Sequence, residues 1–195
     1  MTESESFEWP VLSTSRRSGC NTEARESPLE PRPDGGSRTE NESAEKRHRI
    51  LRVLREQLAR HPATTNAHGI PDGFYAEVQA EVDPEYFERD ADQATLRVTW
   101  QPNPAFPPGT GLEDRKRTSL TANFAFHYSE SSGFDWGWHL EPNPHVSGHL
   151  HAQERETPDE NYAYYEFTLN ATSAVGVLWE VLDALEARLR EKERS

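Results

Sequence analysis

The chain has 195 residues and a formal charge of -13, from 34 acidic against 21 basic side chains, and only 33% of it is hydrophobic. That length holds one domain with its own core, the low apolar fraction leaves part of the chain outside that core, and the acidic excess disfavours nonspecific adhesion to nucleic acid. Cys20 is the only cysteine, which excludes an intrachain disulfide framework and a thiolate metal site.

Residues Met1 to Trp9 are acidic and lack the apolar run of a signal peptide, and no later stretch reaches the length of a membrane span. The expected location is therefore the cytoplasm, with no membrane partner. Residues 1–42 are dominated by Ser, Glu, Arg, Pro, Gly and Thr without hydrophobic period, and are expected to form a disordered tail. Its apolar island, Phe7 to Leu12, is suited to docking on a partner or on the domain itself, or is a stray tail hydrophobic. Residues 43–195 are expected to form a single domain.

From Ser43, a suitable N-cap, Ile50, Leu51, Leu54 and Leu58 fall on one stripe of a 3.6-residue period, predicting a helix that ends near His61-Pro62. Its other face carries His48, Arg49, Arg52, Arg55 and Arg60, either a solvated basic face or a contact for phosphate or an acidic partner. Asn66 to Pro71 reads as a loop. The period then becomes two: Ala76, Val78, Ala80 and Val82 predict one strand, and Thr95 to Trp100 a second. Gln101 to Gly111, with prolines at four positions, is expected to be a loop.

Ser119 to Ser129 and Phe134 to Leu140 read as the arms of a hairpin turned at Ser131-Ser-Gly133. Gly148 to Glu156 and Tyr162 to Leu169 form a last extended pair. A closing helix spans residues 173–194, with Val175, Leu178, Leu182, Leu185 and Leu189 at alternating spacings of three and four. This order predicts an α+β fold: an antiparallel β-sheet covered on one face by an N-terminal and a C-terminal α-helix. The other sheet face is left open.

Four of the eight histidines, His139, His145, His149 and His151, lie within thirteen residues beside Trp136 and Trp138. Histidine is the side chain whose ordinary pKa suits it to acid, base or ligand roles near neutrality. On a strand His149 and His151 project to one side with Gln153 and Arg155, so a metal site needs only a third ligand from His127, His139 or Glu141. Metal-independent RNA cleavage is a second chemistry, with His145, His149, His151 and Arg155 as acid, base and phosphate-stabilising groups, and Tyr162, Tyr164 and Tyr165 to stack bases. A structural role is the third: Pro142-Asn-Pro144 makes a rigid turn, His145 and His149 bond loop carbonyls, and Trp136 and Trp138 serve as core or partner-binding aromatics.

Phe126-His127-Tyr128, the short turn, Trp136-Gly-Trp138-His139-Leu-Glu-Pro142-Asn-Pro144-His145, then His149-Leu-His151 and a leucine-rich closing helix resemble the TumE-like toxin family of type II toxin-antitoxin systems over residues 119–189. His145, His149 and His151 match that family's histidine positions, whereas its Asp-Asn-Ala-Pro-His-His run and its Lys are replaced here. The resemblance implies a toxin-like protein neutralised by a helix-turn-helix antitoxin and acting on RNA; separately, no cofactor is expected. The alternative is a noncatalytic interaction module that binds a protein through its His/Trp sheet face and C-terminal helix. With 18 Arg and 3 Lys beside 25 Glu, the composition resembles that of haloarchaeal proteins, in which acidity is a proteome-wide habit.

Overall fold

The computed structural model describes residues 37–102, 122–146 and 148–192. Helix α1 (Ser37–Leu58) starts at Ser37 rather than at Ser43, so residues 37–42, expected in the tail, are helical. Those first residues carry no apolar stripe and leave no periodic trace. They extend a helix whose stability comes from the tertiary packing of Leu51, Leu54 and Leu58, all fully buried. The rest of the expected tail, residues 1–36 including the Phe7 to Leu12 island, lies outside the described residues.

Seven strands follow among the described residues: β1 (Thr64–Ile70), β2 (Glu77–Val82), β3 (Ala94–Pro102), β4 (Ala122–Glu130), β5 (Asp135–Leu140), β6 (Leu150–Arg155) and β7 (Ala163–Glu166). They form one sheet in sequential order, and every neighbouring pair is antiparallel. A short 3-10 turn, Pro84–Phe87, links β2 to β3, capped by the Asp83 side chain accepting from the Glu85 N–H. Helix α2 (Ala174–Lys192) closes the domain, with Ser173 Oγ accepting from the Gly176 N–H at 3.2 Å as its N-cap. Both helices cover one face of the sheet, as the α+β pattern predicts.

Three expected boundaries are corrected. Asn66 to Pro71, expected as a loop, falls largely in edge strand β1, where Ala67 pairs with Ala80 and Ile70 with Glu77. Being polar and exposed along most of its length, it shows no hydrophobic alternation; the ladder to β2 alone defines it. Gln101 and Pro102 extend β3 instead of opening the loop, because a proline at a strand's end sacrifices no interior ladder bond. β7 is only four residues long, against the extended segment expected to Leu169. Residues 103–121, which hold the rest of the expected loop and the expected start of β4, lie outside the described residues.

The covered face packs Val78, Leu96, Val98, Phe124, Phe126 and Trp138 against Leu51, Leu54, Leu178 and Leu185. Two buried carboxylates lie within this scaffold. Glu130 receives a two-pronged bond from Arg89 (2.9 and 3.0 Å) and further bonds from Tyr128 and Ser132. Burial alone raises its pKa; these donors outweigh burial and hold it below the ordinary glutamate range. Glu154 is held the same way by Arg188 (2.8 and 2.8 Å) and Lys192, which ties β6 to α2. Among the described residues no helix is long and apolar enough to cross a membrane.

Candidate functional site

The register of three adjacent strands brings distant histidines together. His139 on β5 pairs with Ala125 on β4 and with His151 on β6, while His127 pairs with Gly137. Side chains alternate along each strand, so His127, His139 and His151 all project from the face that the helices leave open. Ring centroids lie 6.0 Å apart for His127 and His139, which meet edge to face, and 5.3 Å for His139 and His151, which stack at 11°.

Gly137 makes room for the first pair. A Cβ at that position would lie 2.5 Å from His139 Nε2 and 3.1 Å from His127 Nδ1, so both nitrogens hang over a bare backbone. The other nitrogen of His127, Nε2, is 2.8 Å from the Asp135 carboxylate, which also accepts from the Tyr162 hydroxyl at 2.9 Å. Burial raises the Asp135 pKa, but the bonds from His127 and Tyr162 and the charge of Arg155 outweigh it and keep this carboxyl below its ordinary range. An ionised Asp135 only accepts. It therefore assigns the proton of His127 to Nε2 and leaves Nδ1 with a lone pair directed over Gly137.

Tyr162 is the matching donor, its pKa pushed up to about 12 by burial and by the bond to Asp135. The Arg155 guanidinium lies 4.9 Å from the centre of the Tyr162 ring and donates to the Pro158 carbonyl at 3.4 Å. Arg155 is also the register partner of Asp135 on β6, and its charge acts on the Asp135 carboxylate that bonds His127. His127 retains 26% side-chain exposure and His139 retains 11%, which leaves both within reach of the surface.

His151 is fully buried. Asn143 Oδ1 accepts from the His145 N–H at 2.9 Å, so the Asn143 amide donates to His151 Nε2, also at 2.9 Å. The His151 proton then sits on Nδ1, facing the His149 carbonyl at 3.3 Å. Burial foremost, then the neighbouring His139, lowers the His151 pKa, in keeping with a neutral ring. Glu141 continues the β5 ladder beyond Leu140 by donating its N–H to the His149 carbonyl at 2.9 Å. Its carboxylate lies 3.2 Å from His139 Nδ1, and that contact lowers its pKa.

The histidines expected to act together separate into different positions. His145 lies exposed on the turn and stacks on Tyr164 at 4.7 Å, giving the site an aromatic flank with Tyr162. His149 touches the cluster through its backbone carbonyl, while His151 is a buried support for His139 rather than a group facing solvent. Trp136 and Trp138 do not share a surface with the histidines: they alternate with Asp135, Gly137 and His139, which places both indoles on the covered face at 7% and 0% exposure. Arg49, Arg52 and Arg55 belong to α1, on the opposite side of the sheet from the cluster, so the basic helix face does not flank it.

Asp135 was missed by sequence reasoning, although its spacing gave a signal. It stands two residues before Gly137 and four before His139 in one strand, and so on the same face as the histidine. No family model, curated protein or solved structure matches this chain.

Proposed function

We propose that the open face of β4 to β7 is the acid–base site of a toxin-like protein that cleaves RNA without a metal in the reacting step. The observation that carries this reading is the pair of ring nitrogens over Gly137, one of them held in a defined tautomer by Asp135. RNA cleavage by its own 2′-hydroxyl needs a base, an acid and a cation. His127 Nδ1 takes the 2′-hydroxyl proton as that oxygen attacks phosphorus. His139 gives a proton to the departing 5′-oxygen, and Arg155 offsets the negative charge of the phosphorane. Tyr164 and His145 offer a stacking surface for an unpaired base.

The resemblance of residues 119–189 to TumE-like toxins agrees with this reading and supplies the partner, a helix-turn-helix antitoxin. This reading gives the acid and base roles to His127 and His139 in place of His145, His149 and His151, because the first two share the space over Gly137. The test is cleavage of single-stranded RNA by purified protein in the presence of a chelator. Wild type is expected to leave 2′,3′-cyclic phosphate ends, and His127→Ala and His139→Ala to slow cleavage by at least about 100-fold with the fold retained. Intact RNA, or cleavage indifferent to both substitutions, rules the reading out.

A noncatalytic interaction module is the second reading. It draws on a cleft of about 270 Å³ where β5 to β7 meet α2, lined by Trp136, Trp138, Phe167 and Ala184, with Tyr165 47% exposed beside it. Partner binding that survives His127→Ala but not Tyr165→Ala would favour it.

A further inference from the structure

We infer that His139, Glu141 and His151 form a binding site for one divalent transition-metal ion of the zinc class. One ligand atom from each lies within 4.8 Å of the others. The strand geometry produces this set: His139 and Glu141 are two residues apart along β5 and its extension, and His151 is the direct cross-strand partner of His139. Two imidazoles and a carboxylate are the donor set of zinc sites that keep a fourth position for water or substrate.

Two further observations point to a ligand. His139 is nine-tenths buried, yet neither ring nitrogen makes a hydrogen bond among the described residues; the Glu141 contact lies off line for one. A buried imidazole with both nitrogens unbonded is costly unless something else engages it. His151 directs its Nδ1 proton to the His149 carbonyl, the outer hydrogen bond that orients a ligating histidine and leaves Nε2 as the donor atom. In the present arrangement the Asn143 amide occupies that nitrogen, and the ion takes its place.

Tetrahedral coordination draws the donors to roughly 3.3 Å from one another. Glu141, half exposed beyond the end of β5, has the freedom to close that distance. Magnesium and calcium, which prefer oxygen ligands, do not suit the pair of imidazoles. Because His139 belongs both to this site and to the pair with His127, the ion is an antagonist of RNA cleavage and not its cofactor. That consequence rests on the acid–base reading; the binding does not.

The experiment is a calorimetric titration of tag-free, chelator-dialysed protein with zinc chloride, and separately with magnesium chloride. Wild type is expected to bind one equivalent of zinc in the micromolar range or tighter, and no magnesium. His151→Ala and Glu141→Gln are expected to weaken zinc binding by at least about tenfold. His127→Ala is expected to bind zinc like wild type even where it abolishes cleavage, which separates a failure of this site from a failure of the acid–base reading. Should the buried His151→Ala variant not fold, Glu141→Gln decides the matter together with zinc-induced shifts of the His139 and His151 imidazole resonances. Absence of stoichiometric binding, or unchanged affinity in folded Glu141→Gln, overturns the site.

Discussion

His127 and Asp135 meet diagonally across the β4–β5 hairpin, imidazole Nε2 to carboxylate at 2.8 Å, although their backbone partners are Gly137 and Ser129. The diagonal lets one carboxylate serve His127 and Tyr162 at once. Asp135→Asn keeps the shape but not the obligatory acceptor, so His127 is free to adopt the other tautomer. RNA cleavage is expected to fall by about 100-fold or more, while the thermal midpoint changes little by comparison. Cleavage rates, with the nitrogen chemical shifts of His127, test this; an unchanged rate separates Asp135 from the chemistry.

Gly137 is a position where the smallest substitution disturbs the histidine pair. An added methyl would lie 2.5 Å from His139 Nε2, and a strand buried on both faces leaves the ring little room to retreat. Gly137→Ala is expected to cost about 1–3 kcal/mol of stability by overpacking, and to displace both imidazoles. Urea denaturation and the histidine resonances report the two effects separately. A variant with wild-type stability and wild-type histidine shifts contradicts the close approach.

Arg188 holds the buried Glu154 with two bonds from α2. Arg188→Ala leaves that carboxylate to Lys192, at 3.0 Å, so part of the charge remains compensated. The expected loss is roughly 2–3 kcal/mol, below that of a fully stranded buried charge. Equilibrium unfolding measures it, and a loss under about 0.5 kcal/mol marks the pair as an ordinary surface bridge.

The Glu130 cluster makes stability depend on acid pH. Its folded pKa lies below the ordinary value of 4.5, so the folded state binds its proton less readily than the unfolded chain. The stabilisation is complete above the unfolded pKa and is lost as pH falls through the folded one. The advantage of wild type over Glu130→Gln is therefore expected to be constant above about pH 6 and to shrink below about pH 4.5. Comparing the two proteins removes most of the effect of titrating the other carboxylates. An advantage that grows on acidification reverses the sign of the argument.

Trp138 is fully buried against the core, so Trp138→Ala is expected to cost about 3–5 kcal/mol. An indole displayed for a partner would lose far less on truncation. Chemical denaturation discriminates between them.

The sequence by itself determined the α+β order of helix, antiparallel strands and helix, the hairpin and the closing helix, because periods of two and 3.6 record which face of each segment meets the core. Leu51, Leu54 and Leu58 on α1, and Phe124 and Phe126 on β4, announce their packing in this way. Polar segments carry no such record: the first residues of α1 and the edge strand β1 owe their form to neighbours rather than to their own pattern. The four histidines clustered in sequence do not all meet in space: His139 stacks on His151, His145 stacks on Tyr164, and His127 from β4 meets His139. Which imidazoles meet was decided only by register, since Gly137 lies opposite His127 and His139 opposite His151, and a slip of one residue would have turned the same side chains to the other face. Register is set by how consecutive strands pair across the turns that join them, and no strand's own pattern records it. For that reason Asp135, Gly137 and the His139–Glu141–His151 group became visible as one surface only in the folded sheet.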